Sequence, residues 1–125
     1  MRALLDRYRA DAEAGRLAFQ SCRACGANQA FLRPFCQACG SEDIDWRHAA
    51  GGGTVAAHSV LHRAPTPDYR AKVPYAIALV DLDEGVRVMT HADLDLSVGQ
   101  RVALSFAPHE GAEGTLHLPR VSAAE

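Results

Sequence analysis

Aromatic side chains make up only 6% of the 125 residues, and no predicted strand face interleaves them with Arg or Lys. Binders of single-stranded nucleic acid stack bases on rings along a basic groove, and phosphate-gripping proteins carry a basic excess. The formal charge here is −2, with a basic excess over residues 1–40 and an acidic excess beyond them. A single-stranded nucleic-acid module is therefore the weaker alternative, and no nucleic acid is expected as a partner. Long apolar runs are absent too: Val73 to Val80 falls far short of the ~20 residues that span a bilayer. The opening segment, MRALLDRYRADAEAG, mixes Arg and Asp and has no apolar h-region, which predicts a cytoplasmic chain without membrane contact. Neither G-x-S-x-G, a P-loop, a dinucleotide fingerprint nor H-E-x-x-H occurs. The expectation is a chain with no catalytic residues of its own.

Cysteine is scarce, and all four copies serve one pattern. Cys22/Cys25 and Cys36/Cys39 are two Cys-x-x-Cys pairs, each followed at once by glycine, Gly26 and Gly40. Two intervening residues let one tight turn aim both sulfurs at a single ion, and tetrahedral zinc takes four thiolates at about 2.3 Å. Glycine after the second cysteine accepts a left-handed backbone and lets amide N–H groups approach the sulfurs. The spacing predicts a rubredoxin-like ribbon with Zn2+ held by Cys22, Cys25, Cys36 and Cys39. A redox dithiol, a disulfide frame and tetrathiolate iron are the alternatives. Some ~35 residues around the cysteines bury too little apolar surface to fold alone. Metal would supply the difference, on the order of 10–16 kcal/mol in comparable zinc sites.

Residues 1–14 read as an amphipathic helix with Leu4, Leu5, Tyr8 and Ala12 on one side and Gly15 as its stop. So short a helix must dock on its own domain, a partner or a second copy. Residues 15–47 form the predicted ribbon, with Trp46 capping its apolar side, and residues 48–125 the barrel. Gly51-Gly52-Gly53 reads as a flexible or sharply bent joint between them. Five β-like runs follow: Thr54–Arg63, Pro74–Leu82, Gly85–His91, Gln100–Ala107 and Thr115–Arg120. Val102, Leu104 and Phe106 alternate with Arg101, Ala103 and Ser105, a half-buried strand. The run VPYAIALV is apolar on both faces, so something covers its outside. The fold class is mainly β, closing as a five-stranded antiparallel barrel of the OB type.

The six histidines invite a metal or catalytic role. His58 and His62, four apart on a strand, stand roughly 13 Å apart and cannot share an ion. His48, His91, His109 and His117 fall on strand edges or in loops and read as structural. Asp81, Asp83 and Glu84 read as a solvated hairpin. The loop from Arg63 to Pro74 differs: it places Arg63, Tyr69, Arg70 and Lys72 on the longest connection of the barrel, where such folds bind ligands.

Taken together, the chain resembles the zinc-ribbon plus OB-fold family, domain of unknown function 35. The features that carry the resemblance are the N-terminal helix, C-x-x-C-G, R-P-F-C-x-x-C-G (Arg33 to Gly40), Trp46, G-x-G-T-V, and P-Y-A-I-A-L-V-x-L-D-E-G-V-R (Pro74 to Arg87). Gln37 and Leu32 depart from it, standing where proline is common. The resemblance implies a non-catalytic accessory protein that partners a thiolase-like or lipid-transfer-type enzyme and helps hold acyl-coenzyme A. It implies Zn2+ on the four cysteines and points to Arg63, Tyr69, Arg70 and Lys72 for the coenzyme A phosphates. Self-association into a homo-oligomer is the other way to cover the apolar faces.

Overall fold

The structure is a computed structural model that describes residues 2–64, 66–111 and 114–124. One helix, α1 (Arg2–Glu13), precedes eight strands. The first three, β1 (Ala18–Cys22), β2 (Asn28–Gln29) and β3 (Ile44–His48), form a small antiparallel sheet in the order β2-β1-β3. β3 pairs with β1 along its whole length, Ala18 opposite His48 to Cys22 opposite Ile44, with Trp46 opposite Gln20. The remaining five are β4 (Gly52–Leu61), β5 (Tyr75–Leu82), β6 (Arg87–Ala92), β7 (Arg101–Gly111) and β8 (Gly114–Ala123). They close into a barrel in the order β4-β5-β6-β8-β7.

The barrel departs from the expected antiparallel arrangement at one seam. β6 and β8 run parallel, His91 opposite Arg120 and Ala92 opposite Val121. The reason is parity. Strands alternating up and down around a closed ring must be even in number, so five strands force one parallel pair. Every other pair is antiparallel.

The core follows the period-two pattern of the strands. Ala76, Ala78, Val80 and Leu82 of β5 point inward beside Val55, Val102 and Val121, all at most 3% exposed. Leu104 and Phe106 pack against this cluster, as the alternation in β7 predicts. The outward face of β5 is only partly covered: Leu79 is 36% exposed.

The glycine triplet is not a flexible joint. Gly52 and Gly53 already pair with Ala103 and Val102 of β7. A Cβ on Gly53 would stand 2.7 Å from Val80 Cγ1 and 2.9 Å from the Asp81 carbonyl. Glycine is needed here for close strand approach rather than freedom.

Helix α1 packs against β1 and β8, burying Ala12 and half-burying Leu4 and Tyr8, while Leu5 is left exposed. The Arg7 guanidinium lies 4.3 Å over the Trp46 ring, and His48 meets the Asp11 carboxylate at 3.1 Å. Trp46 therefore ties helix to ribbon. The ribbon reaches the barrel at the β5–β6 hairpin. There Asn28 donates to the Glu84 carbonyl at 2.8 Å, and Glu84 accepts from the Ala50 amide at 2.8 Å. The hairpin acids are engaged as well, Asp81 with Arg87 and Asp83 with Arg101.

Candidate metal centre and docking groove

The two knuckles are built alike. Gly26 N–H donates to the Cys22 carbonyl at 2.9 Å, and Gly40 N–H to the Cys36 carbonyl at 2.8 Å. Both glycines have the left-handed φ the sequence calls for, 79° and 80°. The turns bring the four Sγ atoms within 4.8 Å of one another, with Cys22–Cys39 at 3.6 Å and Cys25–Cys36 at 3.7 Å. Bonds of about 2.3 Å in a tetrahedron give edges of about 3.8 Å, so the cluster has the size for one four-coordinate ion. Cys22 and Cys36 are buried, Cys25 and Cys39 exposed.

Electrostatics make the same point. The backbone N–H of Cys39 and then that of Ala38 hold the Cys36 thiol down to about 7 against burial. Cys39 receives the Ser41 amide, which lowers it, yet the neighbouring thiols of Cys22 and Cys25 together with burial push it up to about 12. Four sulfurs this close cannot all ionise without a cation among them.

Beneath the second knuckle lies a network that spacing did not reveal. Gln20 and Gln29 are 1% and 4% exposed. Gln29 Nε2 donates to Gln20 Oε1 at 2.7 Å, and Gln20 Oε1 also accepts from the Arg33 amide at 2.9 Å. Gln20 Nε2 donates to the Arg33 carbonyl at 2.9 Å, while Gln29 Oε1 accepts from the Gln37 amide at 3.0 Å. Two buried amides thus fix the loop that delivers Cys36. The available signal was polar residues on a strand leading into a knuckle.

A groove of about 670 Å³ runs between α1, the ribbon and the barrel. Leu4, Leu5 and Tyr8 line it from the helix, Phe31 from the ribbon, and Leu79 and Met89 from the barrel. Phe31 and Met89 are 77% and 65% exposed. Large apolar side chains converging on one concave surface mark an interaction site.

The comparisons with known proteins follow this architecture. The ChsH2 C-terminal OB-fold domain matches residues 46–107. A solved chain described as the Ltp2-ChsH2(DUF35) aldolase superposes with a TM-score of 0.80 at 33% identity, covering 96% of this chain and 94% of that one. The chain belongs to the DUF35 family. A probable enoyl-CoA hydratase alpha subunit of Thermomonospora curvata is 38% identical to this DUF35 chain over 95 residues, 73% of the chain but 29% of that protein. A DUF35 domain-containing scaffold protein of Methanocaldococcus jannaschii is 34% identical over 68 residues, 54% of the chain and 48% of that protein. The DUF35 chain therefore spans less than a third of the first relative and about half of the second. No described helix is long and apolar enough to cross a membrane.

The long loop of this DUF35 chain divides its four candidate residues. Tyr69, on a 3-10 turn (Pro67–Tyr69), and Lys72 line a second concavity of about 530 Å³. Arg63 and Arg70 are exposed and do not line it. His91 and His109, read from sequence as structural, line the same concavity, together with Arg120. His58 is not among them; its ring bonds the Asp93 carbonyl at 2.9 Å.

Proposed function

We propose that this chain is a cytoplasmic, non-catalytic accessory subunit that carries one structural Zn2+ and docks on a thiolase-like or lipid-transfer-type enzyme. The observation that carries this reading is the apolar groove, where side chains from three separate elements stay exposed beside a well-packed barrel. A solvated surface does not need such a groove; a partner surface does. The family relatives support association with an enzyme, since one is described as an aldolase with a DUF35 component and another as an enoyl-CoA hydratase subunit.

Within this reading Cys22, Cys25, Cys36 and Cys39 hold the ion. Zinc in a closed four-thiolate site supplies folding energy and no open coordination position, which suits a scaffold. It fixes the ribbon, and so places Phe31 on the groove. The 63–74 loop is where acyl-coenzyme A held against the partner would meet this chain, through Tyr69 and Lys72 first and the exposed Arg63 and Arg70 second.

The test is association. The tagged chain is purified from its native lysate, and co-purifying proteins are identified alongside Phe31→Asp and Met89→Asp variants. A thiolase-fold enzyme recovered at fixed stoichiometry with wild type, and at least tenfold depleted with either variant, supports the reading. A chain that elutes as a clean monomer, or as a self-dimer with no enzyme bound, refutes it, as does a partner indifferent to both substitutions.

A further inference from the structure

The second concavity lies at the opposite end of the β5–β6 hairpin from the turn that touches the ribbon, since Tyr75 and His91 stand at the open end of that pair. Its polar lining converges from distant points of the sequence. The loop gives Tyr69 and Lys72, β6 gives His91, β7 gives His109, and β8 gives Arg120. Four elements delivering donors to one hollow is a built arrangement, unlike lysines scattered on a surface.

The hydrogen bonds fix what each group can offer. Lys72 Nζ stands 2.8 Å from His109 Nδ1, so the ammonium donates and that nitrogen accepts, unprotonated. His109 is 6% exposed and its ring stacks on Tyr69 at 4.9 Å. Tyr69 Oη meets His91 Nε2 at 3.2 Å. Arg120 bonds the Asp93 carboxylate, which uses one of its five N–H donors. Among the described side chains Lys72 has no carboxylate partner, and two of its N–H donors are left over. The charge balance around His91 agrees: burial first, then Lys72, His109 and Arg120, hold its imidazole below the ordinary value of 6.5. Asp93, committed to Arg120, does not offset them, and Tyr75 adds only a neutral edge-on ring.

We propose that this hollow is an oxyanion pocket, taking a phosphate or carboxylate group between Lys72, Arg120 and His91. An oxyanion there accepts charge-assisted hydrogen bonds from groups already gathered for it. At about 530 Å³ the hollow exceeds what a bare ion fills, and Leu94, Pro108 and Leu118 supply apolar wall. The anion is therefore the head of a larger molecule with a carbon body. The hollow shares Tyr69 and Lys72 with the ligand part of the proposed function and deepens it, but all its groups lie within one chain, so it can fail while docking on a partner enzyme stands.

The experiment is a titration of the purified full-length chain, metal retained, with inorganic phosphate and separately with acetate, at constant ionic strength set by chloride. Imidazole resonances are followed by NMR. Saturable shifts at His91 and His109, with the His91 titration midpoint moving upward as the anion binds, are expected. Lys72→Gln weakens the response at least tenfold, Lys72→Arg keeps it within a few-fold, and Arg9→Gln, on α1 and outside the hollow, leaves it unchanged. Tighter phosphate binding assigns a phosphorylated ligand, and tighter acetate binding a carboxylate. The midpoint shift is read on wild type, so it survives if Lys72→Gln loosens the loop. Shifts that never saturate, that chloride alone reproduces, or that persist in a folded Lys72→Gln chain overturn the proposal.

Discussion

In the barrel the largest side chains shut away from solvent are Val55, Val80, Val102 and Val121; in the ribbon they are Gln20 and Cys36. One region is held by apolar area, which is non-directional and tolerant of small rearrangement. The other is held by bonds that need particular atoms at particular distances. The difference follows from size: a barrel of five strands encloses a core, while three short strands enclose none of their own, and the buried Phe19 of β1 joins the barrel's cluster instead. It also predicts how each region fails.

The largest effect should come from taking the ion away. Chelation, or Cys36→Ser, should unfold the ribbon with a loss on the order of 10 kcal/mol of metal-linked folding energy, while the barrel keeps its own transition. The measurement is elemental analysis for one zinc per chain, followed by calorimetry before and after chelation. A chain that contains no metal as purified and melts identically with chelator present would end the comparison, because the ribbon would then be self-supporting.

Next in size come two substitutions that set the regions against each other. Val121→Ala removes two methylene equivalents from a site with no exposure, for about 2–3 kcal/mol lost from the barrel transition. Gln20→Ala orphans the Arg33 amide and the Gln29 side chain, for about 2–4 kcal/mol lost from the ribbon transition. The informative result is which transition moves. If Gln20→Ala lowers the barrel transition and spares the ribbon, the amide network is not what holds the second knuckle.

The same contrast explains what could be read in advance. The cysteine turns were legible because ligation dictates spacing, and a glycine at positive φ leaves a mark at Gly26 and Gly40. The barrel strands were legible because burial imposes a two-residue period, as in β7. The parallel β6–β8 seam was implicit in a closed ring of five strands, yet no single residue announces it. Gln20 and Gln29 were hidden, since a buried amide looks like a surface amide until its partners are known. The histidines of the oxyanion pocket were hidden for a related reason. His91 and His109 are 18 positions apart, and only the closing of the barrel makes them neighbours.

The smallest effect sharpens the comparison at the junction between the two regions. Asp81 and Asp83 of the β5–β6 hairpin are held below the ordinary carboxylate value of 3.8, by the hydrogen bonds of Arg87 and Arg101 respectively. A carboxyl group with a lowered native value adds stability that is fully present above 3.8 and is lost as pH falls through the lower native value. Both pairs are exposed, so salt should screen the contribution. Asp81→Asn with Asp83→Asn should flatten the acid-side slope of the barrel transition and lower its neutral-pH midpoint by the same small contribution, leaving the low-pH limit unchanged. The hydrogen bond described between the ribbon and this hairpin, Asn28 to the Glu84 carbonyl, involves neither aspartate, so the ribbon transition should keep the wild-type pH profile. A ribbon profile that flattens together with the barrel's would mean that the hairpin couples the two regions into one cooperative unit, and the division between bond-held and area-held parts would have to be withdrawn.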